Sequence, residues 1–206
     1  NRTKTQARRI EVNSRGEITR EVFADRLNAD LSAHVDVATA SEQSLLANEG
    51  LSANGFIVYG RGFVLEREEA ERLLAEDERN QDVIRRLRNG RDLNQNSRDL
   101  FVVDFGVRTE EEAKRYPLLY DLVRDRVKPY RDTVKDKSRR ERWWQFGRTN
   151  EALREALEEL ERFIATSYVS KHRFFRFLEA DIAAEDTVVC IALDDVFALG
   201  VLSSAI

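Results

Sequence analysis

Apolar residues recur at helical spacing in two clear stretches of the chain. Residues 66–75 place Ala70, Leu73 and Leu74 on one face. Residues 150–165 place Leu153, Ala156, Leu157, Leu160, Phe163 and Ile164 three or four apart, which predicts one long amphipathic helix. Residues 80–88 predict a shorter helix, capped by Asn80, packed through Val83, Ile84 and Leu87, and stopped by Asn89-Gly90. Thr109-Glu110-Glu111-Glu112 is a capping box, in which the hydroxyl and the carboxylate each satisfy a free backbone N–H. The helix it opens runs toward Val127, and Pro117 must kink it or restart it at a first-turn position. Residues 16–30 are ambiguous and predict a short helix with Val22, Phe23 and Leu27 inward.

Other stretches are short, β-branched or aromatic, and predict strands: 55–65 (a pair, or one strand kinked at Gly60 and Gly62), 100–105, 168–178, 187–193 and 196–202. Residues 31–54 read as loop with a short element. Helices and strands alternate without a βαβ rhythm, so the expected class is α+β, a single domain over 1–206. A basic lead-in occupies residues 1–9, and a lobe break is expected near 90–99 or 135–138 if there is one.

Composition narrows the function. The 206 residues carry 11 Phe and 2 Trp, enough for a real core, while 9 Gly and 2 Pro argue against a disordered chain. A lone cysteine, Cys190, excludes an internal disulfide and fits a reducing cytoplasm. No apolar run reaches the roughly 20 residues of a membrane span. Methionine is absent and the last residues are apolar, so the chain reads as a fragment of a larger one. The net charge of −4 does not announce a nucleic-acid partner, which makes local bias the informative quantity.

That bias is strong in residues 128–148. Lys128, Arg131, Lys135, Lys137, Arg139, Arg140, Arg142 and Arg148 face only three acids there, for a net +5, and Tyr130, Trp143, Trp144 and Phe146 interleave with them. Such bases neutralise phosphates and such rings stack on bases. A solvated basic connector anchored by core tryptophans has the same composition. A second cluster, residues 168–177, holds Ser170, Lys171, His172, Arg173 and Arg176. On a strand, Lys171 and Arg173 point the same way and can donate to guanine O6 and N7, although an ordinary amphipathic strand with Phe175 and Phe177 inward fits as well.

Catalytic patterns are weak. Asp104 followed by Glu112-Ala113-Lys114 imitates the carboxylate and lysine set of magnesium nucleases, but Glu112 already belongs to the capping box. His34, His172 and Cys190 are too few for a zinc site, and no Gly-rich phosphate loop or methyltransferase tetrapeptide is present. The expected catalytic and metal-ligating sets are therefore empty.

The ordered pieces Gly60-x-Gly62-Phe63, Glu69-Ala70, Asn89-Gly90-x-Asp92-Leu93, Val103-Asp104-Phe105, Glu112-Ala113 and Tyr116-Pro117 resemble the C-terminal part of MmeI-like type IIG/IIL restriction–modification enzymes and related defence methyltransferases. So do Val127-Lys128-Pro129-x-Arg131, Arg142-x-Trp144, Val169-Ser170 and Leu202-Ser203-Ser204, and the likeness covers residue 10 to the end. The resemblance implies a target-recognition domain that reads duplex DNA through the major groove. It would direct an attached adenine-N6 methyltransferase that uses S-adenosylmethionine, and in some members a magnesium-dependent nuclease. No cofactor is expected in this portion itself, and the partners implied are double-stranded DNA and the methyltransferase domain. Where the family pattern often reads Ser-Ser-Glu-x-Arg, this chain reads Val169-Ser170-Lys171-His172-Arg173. Arg173 keeps the arginine, while Lys171 replaces an acid that accepts from cytosine N4 with a group that only donates. The resemblance thus makes Ser170, Lys171, His172 and Arg173 the expected base readers and the 128–148 bases the phosphate contacts. The competing expectation is a non-catalytic interaction module whose helices, such as 150–165, pack on a partner domain without touching DNA.

Overall fold

The structure, a computed structural model, describes residues 7–24 and 48–204. It divides into two compact units, Asn1–Glu49 and Gly50–Ile206. Both expected lobe breaks lie inside the second.

In the first unit, β1 (Ala7–Val12) and β2 (Ile18–Ala24) form an antiparallel hairpin with Ala7 opposite Ala24 and a bulge between Glu11 and Val12. The turn is made by Asn13, whose Oδ1 accepts from the N–H groups of Arg15 and Glu17 at 2.9 and 3.0 Å, and by Gly16 at φ 79°. The helix expected over 16–30 is therefore a strand as far as Ala24. Cross-strand pairing, including Arg8 with Glu21, overrides the weak helical spacing. Leu27, His34 and residues 31–47 lie outside the described residues.

The second unit runs β3 (Ser52–Asn54), β4 (Val64–Leu65), α1 (Arg67–Glu76), β5 (Ile84–Arg88), α2 (Gly90–Asn94), β6 (Phe101–Val103), α3 (Glu110–Ala113), α4 (Pro117–Arg131), α5 (Lys137–Glu141), α6 (Glu151–Leu157), β7 (Arg162–Ser167), β8 (Arg176–Glu179), β9 (Ala183–Ala184), β10 (Val188–Ile191) and α7 (Val196–Ser203). One antiparallel sheet has the order β3-β10-β7-β8, and a second has β4-β6-β5-β9, with β5 and β9 parallel. The class is α+β, as expected from helices and strands mixed without a βαβ rhythm. Phe63, Phe105, Phe163, Leu119, Val102, Val103 and Val123 are among its fully buried side chains.

Local signals held where they were strong. α1 forms over the expected stretch, Thr109 and Glu112 cap α3 reciprocally, and Pro117 restarts the chain as the first residue of α4. Four expectations need correction. Residues 80–88 form a short 3-10 turn and then β5, because Ile84–Arg86 pair with β6 and Leu87–Arg88 with β9. The helix over 150–165 ends at Leu157. Residues 162–167 become β7, buried at five successive positions between β10 and β8, where a continuous apolar run suits a central strand. Residues 196–202 form α7 and not a strand, because the Asp195 carboxylate caps its first turn by accepting from the Ala198 N–H at 2.7 Å. Residues 55–65 hold only isolated bridges at Phe56 and Ile57, a 3-10 turn and the two-residue β4.

Candidate nucleic-acid interface

β7 and β8 are joined at one end by residues 168–175, which extend from the sheet as a loop and not as the expected strand. The loop carries Ser170, Lys171, His172 and Arg173, with Arg176 opening β8. Among the described residues Lys171, Arg173 and Arg176 are in no ion pair. The loop is also unusually apolar for an exposed segment: Tyr168 and Phe174 are solvent-facing and Val169 is 78% exposed. One internal bond shapes it, from the Ser170 hydroxyl to the His172 carbonyl at 2.6 Å. Phe177 returns to the sheet under the Arg162 guanidinium, whose carbon lies 4.0 Å from the ring centre. Lys171 and Arg173 thus stand on a presented loop whose two roots are strands of the sheet.

α2 lies beside that loop. Asn89 caps it, with Oδ1 accepting from the N–H groups of Arg91 and Asp92 while Asp92 accepts from the Asn89 N–H at 3.0 Å. Asp92 is held further by the Arg98 guanidinium, through two bonds of 3.0 Å. Asn94 donates to the Ser167 hydroxyl at 3.3 Å, Ser167 donates to the Val169 carbonyl at 2.9 Å, and the Gly90 N–H donates to Thr187 Oγ1 at 2.9 Å. The result is a cleft of about 340 Å³ lined by Asn89, Arg91, Asn94, Gln95, Ser167 and Val169. Arg91, Asn94 and Gln95 are exposed there, and side chains of these types carry donors and acceptors that can pair with base edges. The sequence expectation places a helix end at Asn89-Gly90 and so does not bring these residues forward, although Asn89-x-x-Asp92 is a legible capping box for α2.

The basic segment does not present a single face. Arg131 is 0% exposed: it is packed near the rings of Tyr59 and Phe63, with one bond of 3.2 Å to the Gln145 carbonyl. It is not a surface phosphate contact, which corrects the expectation. Trp143, Trp144 and Phe146 are core residues, so the interleaved aromatic rings are structural and only Tyr130 is half-exposed. Lys128 pairs with Asp132 at 2.8 Å on α4, and Lys137 lies 3.6 Å from Glu141 on α5. Arg140 donates to the carbonyls of Val134 and Lys135, closing the turn between α4 and α5. Lys135 is exposed. Arg139, Arg142 and Arg148 come together around a small cavity of about 140 Å³.

The nuclease pattern disperses. Asp104, almost fully buried, accepts from Arg154 at 2.8 Å and from the Gly106 N–H at 2.9 Å, while Glu112 caps α3 and Lys114 lies 3.5 Å from Glu110. Among the described residues no group of three or more His, Cys, Asp or Glu is placed to hold a metal ion. No described helix is long and apolar enough to cross a membrane.

Comparison with solved structures gives the fold a neighbour. It is similar to part of the type IIL restriction–modification enzyme MmeI, whose structure was solved in complex with DNA: the TM-score is 0.62, over 92% of this chain and 25% of that one, at 14% identity. At that identity the shared property is the fold. The chain spans about a quarter of the neighbour's length. No protein-family model and no curated protein sequence matches the chain.

Proposed function

We propose that this chain is a reader of duplex DNA, the target-recognition part of a restriction–modification or defence methyltransferase. The observation that carries the reading is the 168–175 loop, where Lys171, His172 and Arg173 extend from the sheet and lie in no ion pair among the described residues, next to the amides and guanidinium of α2. Donors clustered on an exposed, rooted loop match the major groove's acceptor-rich edges. Likeness of fold to an enzyme solved on DNA supports the same reading. In it, Lys171 and Arg173 read bases, Ser170 and His172 shape and flank them, and the exposed bases of 128–148 meet phosphates. S-adenosylmethionine and magnesium would serve the catalytic domains of the longer chain, and their chemistry would be directed from here. A methyltransferase domain is the expected covalent partner, in a cytoplasmic protein.

The test is selection of random duplexes by the 206-residue protein at low and moderate salt. Enrichment of one short sequence, weakening as salt rises, supports the reading. Absence of DNA binding at low salt overturns it for the isolated chain.

One observation favours a second reading, the interaction module. α7 exposes Val196, Phe197, Val201 and Leu202, with Phe197 80% exposed, and none of its residues is buried. Such a patch marks a protein contact. The helix first expected to serve this role, 150–165, does not: α6 turns Leu153 and Leu157 into its own core.

A further inference from the structure

Arg131 is a positive charge buried inside the protein with no acid in ion-pair contact among the described residues. Its side chain is entirely buried, its Nε and Nη1 have no hydrogen-bond partner, and it enters no ion pair among the described residues. Two backbone carbonyls, of Gln145 at 3.2 Å and Val58 at 3.5 Å, and the ring faces of Tyr59 and Phe63 are what it meets. Burial, and then the neighbouring Arg139, push its pKa below the usual arginine range. Burying a charge without a partner is strongly unfavourable.

The small cavity lies against this charge. Gln145, whose carbonyl accepts from Arg131, lines it together with Arg139, Arg142, Arg148, Ser138 and Thr149, and none of its lining residues is acidic. Its arginines are already oriented. Arg142 donates through Nη2 to Ser138 Oγ, Arg148 donates through Nη2 to the Gly55 carbonyl at 3.2 Å, and Arg139 stacks 4.4 Å from the centre of the Tyr59 ring. Each anchor uses one nitrogen or one face and leaves further N–H groups free to donate. Arg139 Nε is a buried atom with no hydrogen bond, and Arg139 forms an ion pair with the Asp136 carboxylate at 3.3 Å, so the seat's uncommitted charge rests chiefly on Arg142 and Arg148. The volume, about 140 Å³, is large enough for one tetrahedral oxyanion.

We propose that Arg139, Arg142 and Arg148 form a seat for a single tetrahedral oxyanion, a phosphate group, and that buried Arg131 strengthens it by charge from behind. This rests on the DNA-reading proposal only for the source of the anion: a duplex phosphodiester held there fixes the register of the 168–175 loop on the groove. A free phosphate or sulfate has the same chemistry, so the two sources must be separated.

The experiment is a titration of the 206-residue protein with inorganic phosphate at constant ionic strength, read from the arginine Nε–Hε resonances, and then repeated with a short duplex present. Saturable shifts of Arg139, Arg142 and Arg148 are expected. The double variant Arg142→Gln/Arg148→Gln should weaken binding tenfold or more, Arg131→Met severalfold with the fold retained, and Arg72→Gln on α1 not at all. Displacement of phosphate by the duplex assigns the seat to the DNA backbone. Saturable binding without displacement keeps the seat and rejects that source. Shifts that never saturate, or that survive the double variant, overturn the seat even if DNA binds elsewhere. Should Arg131→Met unfold, the double variant decides the seat alone.

Discussion

A methyl group on Gly90 would lie 2.7 Å from the Ser167 hydroxyl and 2.9 Å from the Thr187 carbonyl, so α2 can rest against β7 and β10 only with glycine there. The constraint is steric closeness and not a left-handed backbone, and it fixes the position of Arg91, Asn94 and Gln95 beside the loop. Gly90→Ala must push α2 away or shift a backbone carbonyl that cannot rotate aside. A loss of about 1–3 kcal/mol is expected, as for other overpacked sites. Urea unfolding should show a lower midpoint at an unchanged slope, and DNA affinity should fall with it. An unchanged midpoint would mean that α2 moves freely and does not register the loop.

Asp104 and Arg154 form a second buried junction, at 2.8 Å, with Arg85 3.7 Å from the other carboxylate oxygen. Arg154 also stacks on Phe56, 4.3 Å from the ring centre, and donates to the Thr149 carbonyl. Removing one partner leaves a buried charge unmatched, which typically costs about 3–5 kcal/mol. Arg154→Ala and Asp104→Ala should each destabilise by that order in thermal or urea unfolding. The double variant should lose much less than the sum. Additive losses would show that the two do not act as a pair.

The Asp92 carboxyl gives stability an acid limb. Burial pushes its pKa up, but the Arg98 guanidinium and the N–H groups of Asn89 and Arg98 more than offset this and hold it below the usual carboxylate range. A carboxylate depressed in the folded state adds stability that is present above the unfolded value near pH 4 and is lost as pH falls through the folded value. Wild-type unfolding free energy should therefore drop below about pH 4, and Asp92→Asn should flatten that drop while lowering stability at neutral pH. An unaltered acid limb in the variant would remove Asp92 from it.

How much of this was legible depended on the range of the forces involved. The Thr109–Glu112 capping box and the Pro117 helix start were readable because each is decided within four residues. Residues 162–167 were not, because Phe163 and Ile164 continue the helical spacing of α6 by coincidence and only the neighbours β8 and β10 make them a strand. Ile84–Arg88 misled for the same reason: Arg85 and Arg86 look like the polar face of a helix but sit in a strand between β6 and β9. In the candidate site, the charge of Lys171 and Arg173 was visible, since exposed loops display what they carry. The burial of Arg131 was not. It depends on Val58, Tyr59 and Phe63, about seventy residues earlier in the chain, which no local pattern connects to it.

Cys190 should behave as an inert core residue. It is fully buried in β10, and burial pushes its thiol up to about 12. The folded state holds the proton more tightly than the unfolded one, so the associated stability is complete below about pH 8.5 and declines as pH rises toward the folded value. At pH 8 a disulfide exchange reagent should modify it only at the rate of global unfolding, and fully in denaturant. Rapid modification of the native protein would show that the β3-β10 edge opens locally.

Base reading and phosphate holding make different demands on binding data, and Arg173 and Arg142 separate them. Arg173 lies on the presented loop, where a guanidinium contacting guanine contributes about 1–3 kcal/mol of discrimination against the other bases. Arg142 lines the small cavity, and a phosphate contact carries no sequence information. With the duplex found by selection, Arg173→Ala should weaken the preferred sequence while leaving affinity for random duplex within a factor of two, so its preference relaxes at one position. Arg142→Ala should weaken every duplex alike and reduce the salt slope by about one contact's worth, near 0.9 in log–log units. If Arg173→Ala lowers all sequences equally, the loop grips the backbone and the sequence must be read elsewhere, with Arg91, Asn94 and Gln95 on α2 the next residues to substitute.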